Sequence, residues 1–103
     1  MAEPVMKLGL LARIEAKPEY AREVAELLAG AVELARAEDQ TVAWFAFQEN
    51  ETTFGVYDTF ADESGRQAHL SGPIAAALME VAPTKLASAP DIRPVDVLAV
   101  KVP

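Results

Sequence analysis

Apolar residues along this chain recur with a spacing that switches between two and about 3.6, and the switches run strand, helix, strand, strand, helix, strand. Residues 7–15 alternate, with Leu8, Leu10, Ala12 and Ile14 on one face and Lys7, Gly9, Leu11 and Arg13 on the other. Pro18 then suits the first position of a helix, and Glu19 and Glu23 suit its positive end. Over residues 18–37 Tyr20, Val24, Leu27, Leu28, Ala31, Leu34 and Ala35 form one apolar stripe. Arg22 and Glu26 on the opposite side are spaced to pair. Gly30, inside this stretch, either costs about 1 kcal/mol or permits a close approach to another element.

After a polar break at residues 38–40, residues 41–49 read as a strand carrying Val42, Trp44, Phe45 and Phe47. Asn50 is expected to turn the chain with a positive φ, and residues 52–60 return as a third strand with Phe54, Val56, Tyr57 and Phe60. Asp62 is the expected N-cap of a second helix. Ser71-Gly72-Pro73 interrupts that helix, and a further segment follows over residues 74–81, capped by Ser71 or Gly72. Pro83 and Pro90 bracket an irregular stretch. Residues 91–101 make a last strand, in which Pro94 points to a sheet edge or a bulge. The order predicts a ferredoxin-like α+β fold, βαββαβ, with a four-stranded antiparallel sheet and two helices on one face. At 103 residues the chain is expected to be one domain, 1–103.

Helices on one face leave the other face of the sheet to water, yet both parities of the strands are apolar. Residues 41–47 offer Ala43, Phe45 and Phe47 on one side and Val42, Trp44 and Ala46 on the other, and Leu11 and Tyr57 add to the surplus. Each large side chain gains roughly 1.5–3 kcal/mol when buried, so a homodimer packed through the sheet face is expected. A monomer whose loops cover the sheet is disfavoured by their short length.

The formal charge of −7 argues against nucleic acid and against anionic membrane surfaces as partners. No apolar stretch reaches transmembrane length, and residues 1–7 do not read as a signal peptide, so the expected compartment is the cytoplasm. Without cysteine there are no disulfides, thiolate metal sites or thiol nucleophiles. One histidine and five scattered glycines give neither a transition-metal cluster nor a phosphate loop, so no metal and no cofactor is expected.

The stretch Phe54-Gly55-Val56-Tyr57-Asp58-Thr59-Phe60-Ala61-Asp62-Glu63, followed by Ala68-His69-Leu70-Ser71-Gly72-Pro73, resembles the antibiotic biosynthesis monooxygenase family, dimeric α/β barrels of ferredoxin-like topology. The resemblance covers nearly the whole chain in element order and is specific in sequence over residues 41–79. It implies oxidation of quinols or phenolic polyketides by O₂ without metal or flavin. A haem-degrading branch of the family carries an Asn on the first strand, a Trp near the end of the third and a His on the second helix. Here the first strand has no Asn, Phe60 stands at the aromatic position and His69 at the histidine.

His69, whose unperturbed pKa lies near neutrality, is the candidate base or hydrogen-bond donor to a ring hydroxyl; its structural alternative is to cap the broken helix. Tyr57 either hydrogen-bonds a quinol oxygen or sits at a dimer interface. Trp44 and Phe60 are candidate pocket walls, although a residue such as Trp44 more often belongs to core or interface. Asp58, a charge between aromatics in mid-strand, either accepts a hydrogen bond from a ligand or pairs with Arg13 or another base across the sheet. Arg13 suits an anionic ligand or a salt bridge. Two functions fit: a cofactor-independent monooxygenase acting on an aromatic, quinol-like molecule in a pocket lined by Trp44, Tyr57, Phe60 and His69, or a non-catalytic small-ligand-binding or structural dimer of the same fold.

Overall fold

The computed structural model describes residues 5–103. The expectation about a leader rests partly on residues 1–4, which lie outside them. The elements are β1 (Leu8–Glu15), a 3₁₀ turn (Pro18–Tyr20), α1 (Ala21–Gly30), α2 (Val32–Arg36), β2 (Thr41–Gln48), β3 (Thr53–Phe60), α3 (Glu63–Leu70), α4 (Pro73–Lys85) and β4 (Asp91–Asp96). Counting α1 with α2 and α3 with α4 as the two crossovers, this is the expected ferredoxin-like βαββαβ order.

The sheet runs β2-β3-β1-β4, and every neighbouring pair is antiparallel. The two central strands are β1 and β3. On the helix-covered face β1 contributes Leu10, Ala12 and Ile14, and β3 contributes Phe54, Val56, Asp58 and Phe60, all buried. Val24 and Leu28 of α1 and Leu78 of α4 pack on this face as one core. Ala31, Ala35 and Ile74 form a second small cluster, and Trp44 packs against both. The 3.6-residue period of α1 and the two-residue period of β1 thus meet in one core, as the sequence predicts. The Arg22–Glu26 pair forms at 3.4 Å on the outside of α1.

Pro94 sits on an edge strand, opposite Leu10, where its missing N–H leaves the solvent side of the sheet undisturbed. Asp62 caps α3, its Oδ1 accepting from Gly65 N at 3.1 Å. Gly72 is the cap before Pro73, while the Ser71 hydroxyl donates back to the Gln67 carbonyl.

Three local expectations are corrected. Asn50 does not take a positive φ, which no non-glycine residue does among those described. It turns the chain through its side chain instead, Oδ1 accepting from Thr52 N at 3.0 Å and Thr53 N at 2.9 Å. Helix α4 runs through Pro83 to Lys85, since a proline in the last turns forfeits one hydrogen bond without ending the helix. The last strand stops at Asp96, opposite Leu8 where β1 begins, and one further hydrogen bond, Val97 N to the Lys7 carbonyl at 2.9 Å, ends the pairing.

The face away from the helices carries Leu11, Arg13, Phe45, Phe47, Tyr57 and Val95. Phe45 is 56 % exposed. The Phe47 ring lies over Gly55, its cross-strand partner, where a Cβ would come within 2.2 Å of the ring. Gly9 is packed in the same way beneath Tyr57 and Val95. Among the described residues no helix is long and apolar enough to cross a membrane.

Candidate functional site

Between the helices and the sheet lies a cavity of about 240 Å³. Its walls are Leu10, Ala12 and Val56 from the sheet, Leu27, Leu28, Ala31 and Leu34 from α1 and α2, and Ile74, Ala75 and Leu78 from α4. All of these are aliphatic. Gly30 also lines it, and a Cβ there would meet nothing within 4 Å, so the glycine opens the wall and makes no close contact with another element.

Two polar residues interrupt the apolar lining, Asp58 of β3 and His69 of α3. His69 falls one residue before the end of α3, the helix started by the Asp62 cap. Its Nδ1 lies 2.7 Å from Glu38 Oε1 and its Nε2 lies 2.8 Å from Asp58 Oδ2. Glu38, in the connection between α2 and β2, also accepts from the Thr41 hydroxyl at 2.7 Å. The imidazole therefore ties together α3, β3 and the chain leading into β2.

Burial alone would push the His69 pKa down. The hydrogen bonds to Asp58 and Glu38, helped by their charges, outweigh it and hold the ring up at about 9. At neutral pH the ring is an imidazolium donating through both nitrogens. Phe60, fully buried, lies beside it with ring centroids 5.4 Å apart and the ring planes tilted by 44°.

The structure brings Asp58, His69, Phe60 and Trp44 to the helix side of the sheet. Trp44 stands opposite Asp58 in register and Phe60 backs the imidazole, but neither lines the main cavity. Tyr57 and Arg13 lie on the other face, since they alternate with cavity-facing neighbours. Of the partners expected for Asp58, Arg13 is corrected and another base takes its place: Asp58 pairs with His69, and Arg13 pairs with Glu49 at 2.9 Å near the rim of the open face. The pocket drawn from Trp44, Tyr57, Phe60 and His69 keeps only His69, because the walls are aliphatic residues that read in sequence as ordinary core. His69 does not cap its helix either; Gly72 N closes the end by donating to the His69 carbonyl.

Glu38 escaped the sequence reading. It stands in a run of polar residues, 31 positions before the histidine it holds, and nothing local marks it. Its Oε2 is buried without a partner and lies where a Cβ on Gly72 would come within 3.2 Å. His69 also borders a second recess of about 220 Å³ lined by Glu38, Thr41, Gly65 and Gly72. No group of three or more acidic or histidine side chains is placed to hold a metal ion among the described residues.

A ferredoxin-like α+β protein with an apolar cavity between sheet and helices and a buried acid–imidazole–acid cluster is the class that fold and site define. The chain belongs to the antibiotic biosynthesis monooxygenase family, whose profile matches residues 8–81. Among solved structures it is similar to a protein of unknown function from Nitrosomonas europaea, with 55% identity over 96% of each chain and a TM-score of 0.93. A Pseudomonas aeruginosa protein shares the fold at 20% identity and a TM-score of 0.79, covering 95% of this chain and 100% of its own. An antibiotic biosynthesis monooxygenase shares it at 20% identity and a TM-score of 0.76, covering 89% and 99%. No curated protein matches the sequence.

Proposed function

We propose that the chain is a cofactor-independent monooxygenase acting on a small aromatic or quinol-like molecule in the cavity between sheet and helices. The observation that carries this reading is the cavity itself: aliphatic walls around about 240 Å³, with Asp58 and His69 as the only polar lining residues among those described. Family membership supplies the reaction class. Such a reaction needs no external reductant when the substrate is electron-rich. A ring CH₂ between aromatic carbons and one O₂ give a carbonyl and one water, and the substrate supplies the electrons. The protein's part is to bind the ring, exclude water and hold the substrate's hydroxyl while its proton is drawn away.

Two copies are proposed to pair through the open sheet face, since Phe45, Phe47, Leu11 and Tyr57 form an apolar surface there that Arg13 and Glu49 border. The cytoplasm is the proposed location.

One observation favours a second reading, a non-catalytic ligand-binding dimer. His69 has both nitrogens bonded to carboxylates and offers no lone pair to a substrate. O₂ uptake by the purified protein with a panel of dihydroquinones and anthrone-type phenols separates the two, after subtraction of autoxidation. The monooxygenase reading expects turnover above background with at least one compound, with oxygen from ¹⁸O₂ in the product. No uptake above background across the panel leaves the binding protein.

A further inference from the structure

The sheet has two edges, β2 and β4, and they are protected unequally. β4 carries Asp91, Arg93, Pro94 and Asp96, the charges and proline by which edge strands avoid pairing with further chains. β2 holds neither a charge nor a proline over Thr41–Gln48, and an irregularity at residues 41–43 blunts only its start. Glu49 N donates to the Thr53 carbonyl at 2.8 Å. By the alternation of an antiparallel ladder, Phe45 and Phe47 then bond to β3, while Trp44, Ala46 and Gln48 turn their N–H and C=O groups outward. No other element pairs with these groups among the described residues. On the helix side of the same edge lies a recess of about 150 Å³, between Ala25, Leu28 and Ala29 of α1 and Ala46 and Phe54 of the sheet.

The segment after β4 has the complementary deficit. Beyond Val97 N, which donates to the Lys7 carbonyl, residues 98–103 make no hydrogen bond among the described residues. Leu98, Val100 and Val102 recur with the two-residue period of a strand, yet Leu98 is 96 % exposed. β4 leaves the sheet at the end where Leu8, Phe60 and Thr41 stand in line, and β1 and β3 separate it from β2. The chain's own β2 is thus about 14 Å away across the sheet, and the segment heads off its end.

We propose that residues 98–103 pair as an added strand with Trp44–Gln48 of a second copy, reciprocally about a two-fold axis, with one apolar side chain of the segment seated in the recess beside α1. Charge agrees with this occupant. Lys101 is the segment's only charged residue, and β2 is flanked by the exposed acids Asp39 and Glu51. The contact uses the edge of the sheet, whereas the pairing proposed above uses its open face, and it requires no catalysis.

Amide hydrogen exchange by NMR, with sedimentation equilibrium over the same concentrations, tests it. In the dimer the amides of Trp44, Ala46 and Gln48 should exchange about tenfold more slowly, or better, than in the diluted monomer. Those of Phe45 and Phe47, already bonded to β3, should change less. Leu98→Lys should abolish the added protection and raise the dimer dissociation constant about a hundredfold or more, since Leu98 is lost from both segments. That variant leaves the fold of the single chain intact, because Leu98 barely touches it. Unprotected amides at 44, 46 and 48 in the wild-type dimer, equal protection in Leu98→Lys, or an unchanged dissociation constant overturns the proposal. Protection that persists in the diluted monomer would put the segment on its own sheet, and a wild type that stays monomeric would leave the edge to a different chain; either result overturns it as well. If these results hold while Phe45→Glu still dimerises, the open-face contact falls alone.

Discussion

His69 stands at 8 % exposure between two carboxylates, and its protonation is built into the folded state. A ring whose folded pKa is about 9 against 6.5 unfolded contributes stability that is fully present below pH 6.5 and is lost as pH rises through 9. The wild-type melting temperature should therefore fall between pH 6.5 and 9.5, by an amount corresponding to about 3 kcal/mol. His69→Gln should be less stable at pH 6.5 and should show little of that slope. A wild-type melting curve unchanged across this range would show that the ring is not charged in the fold. Gly30 makes the opposite case. A methyl there meets open space, so Gly30→Ala should raise stability by about 0.5–1 kcal/mol in urea unfolding through the helix preference of alanine alone. The histidine was legible in sequence because it is the only one. Its partners were only half legible, since Asp58 is conspicuous as a charge in mid-strand and Glu38 is one acid among many.

At the level of elements the reading depended on periodicity, and it succeeded where burial is one-sided. The stripe of α1, the alternation of β1 and the Asp62 cap all correspond to observed elements because local chemistry and the core ask for the same thing. It failed where the deciding partner is remote. The length of β4 is set by β1, and the turn at Asn50 is closed by a side chain. The pocket's aliphatic walls differ from core residues only in what does not pack against them. The cap is also a mechanical part of the site, since α3 carries His69. Asp62→Ala should cost about 1 kcal/mol in chemical denaturation. It should also weaken the His69 bonds, seen as a lowered His69 pKa in NMR titration. A cost with an unchanged titration would mean that Glu38 and Asp58 hold the ring without help from the helix.

For the whole molecule, the sheet's open face decides what state the chain keeps in solution. Phe45, more than half exposed in the single chain, is the proposed centre of a two-fold contact. Phe45→Glu should convert a dimer near 22 kDa to a species of 11.1 kDa in sedimentation equilibrium at micromolar concentration. A wild type that already sediments as the smaller species would remove the contact. The order β2-β3-β1-β4 has a further consequence, for synthesis. Of the four described strands β1 is made before the others yet lies centrally, and both of its neighbours are made later: β3 pairs it from Phe60 back to Thr53, and β4 pairs it from Asp96 back to Asp91. While the ribosome works through the intervening residues, Leu10, Ala12 and Ile14 have no sheet to join, and each pairing must close a loop of tens of residues before it is rewarded. The nascent chain therefore carries β1 unpaired until β3 has emerged, and the last hydrogen-bonded edge of the sheet closes only with β4.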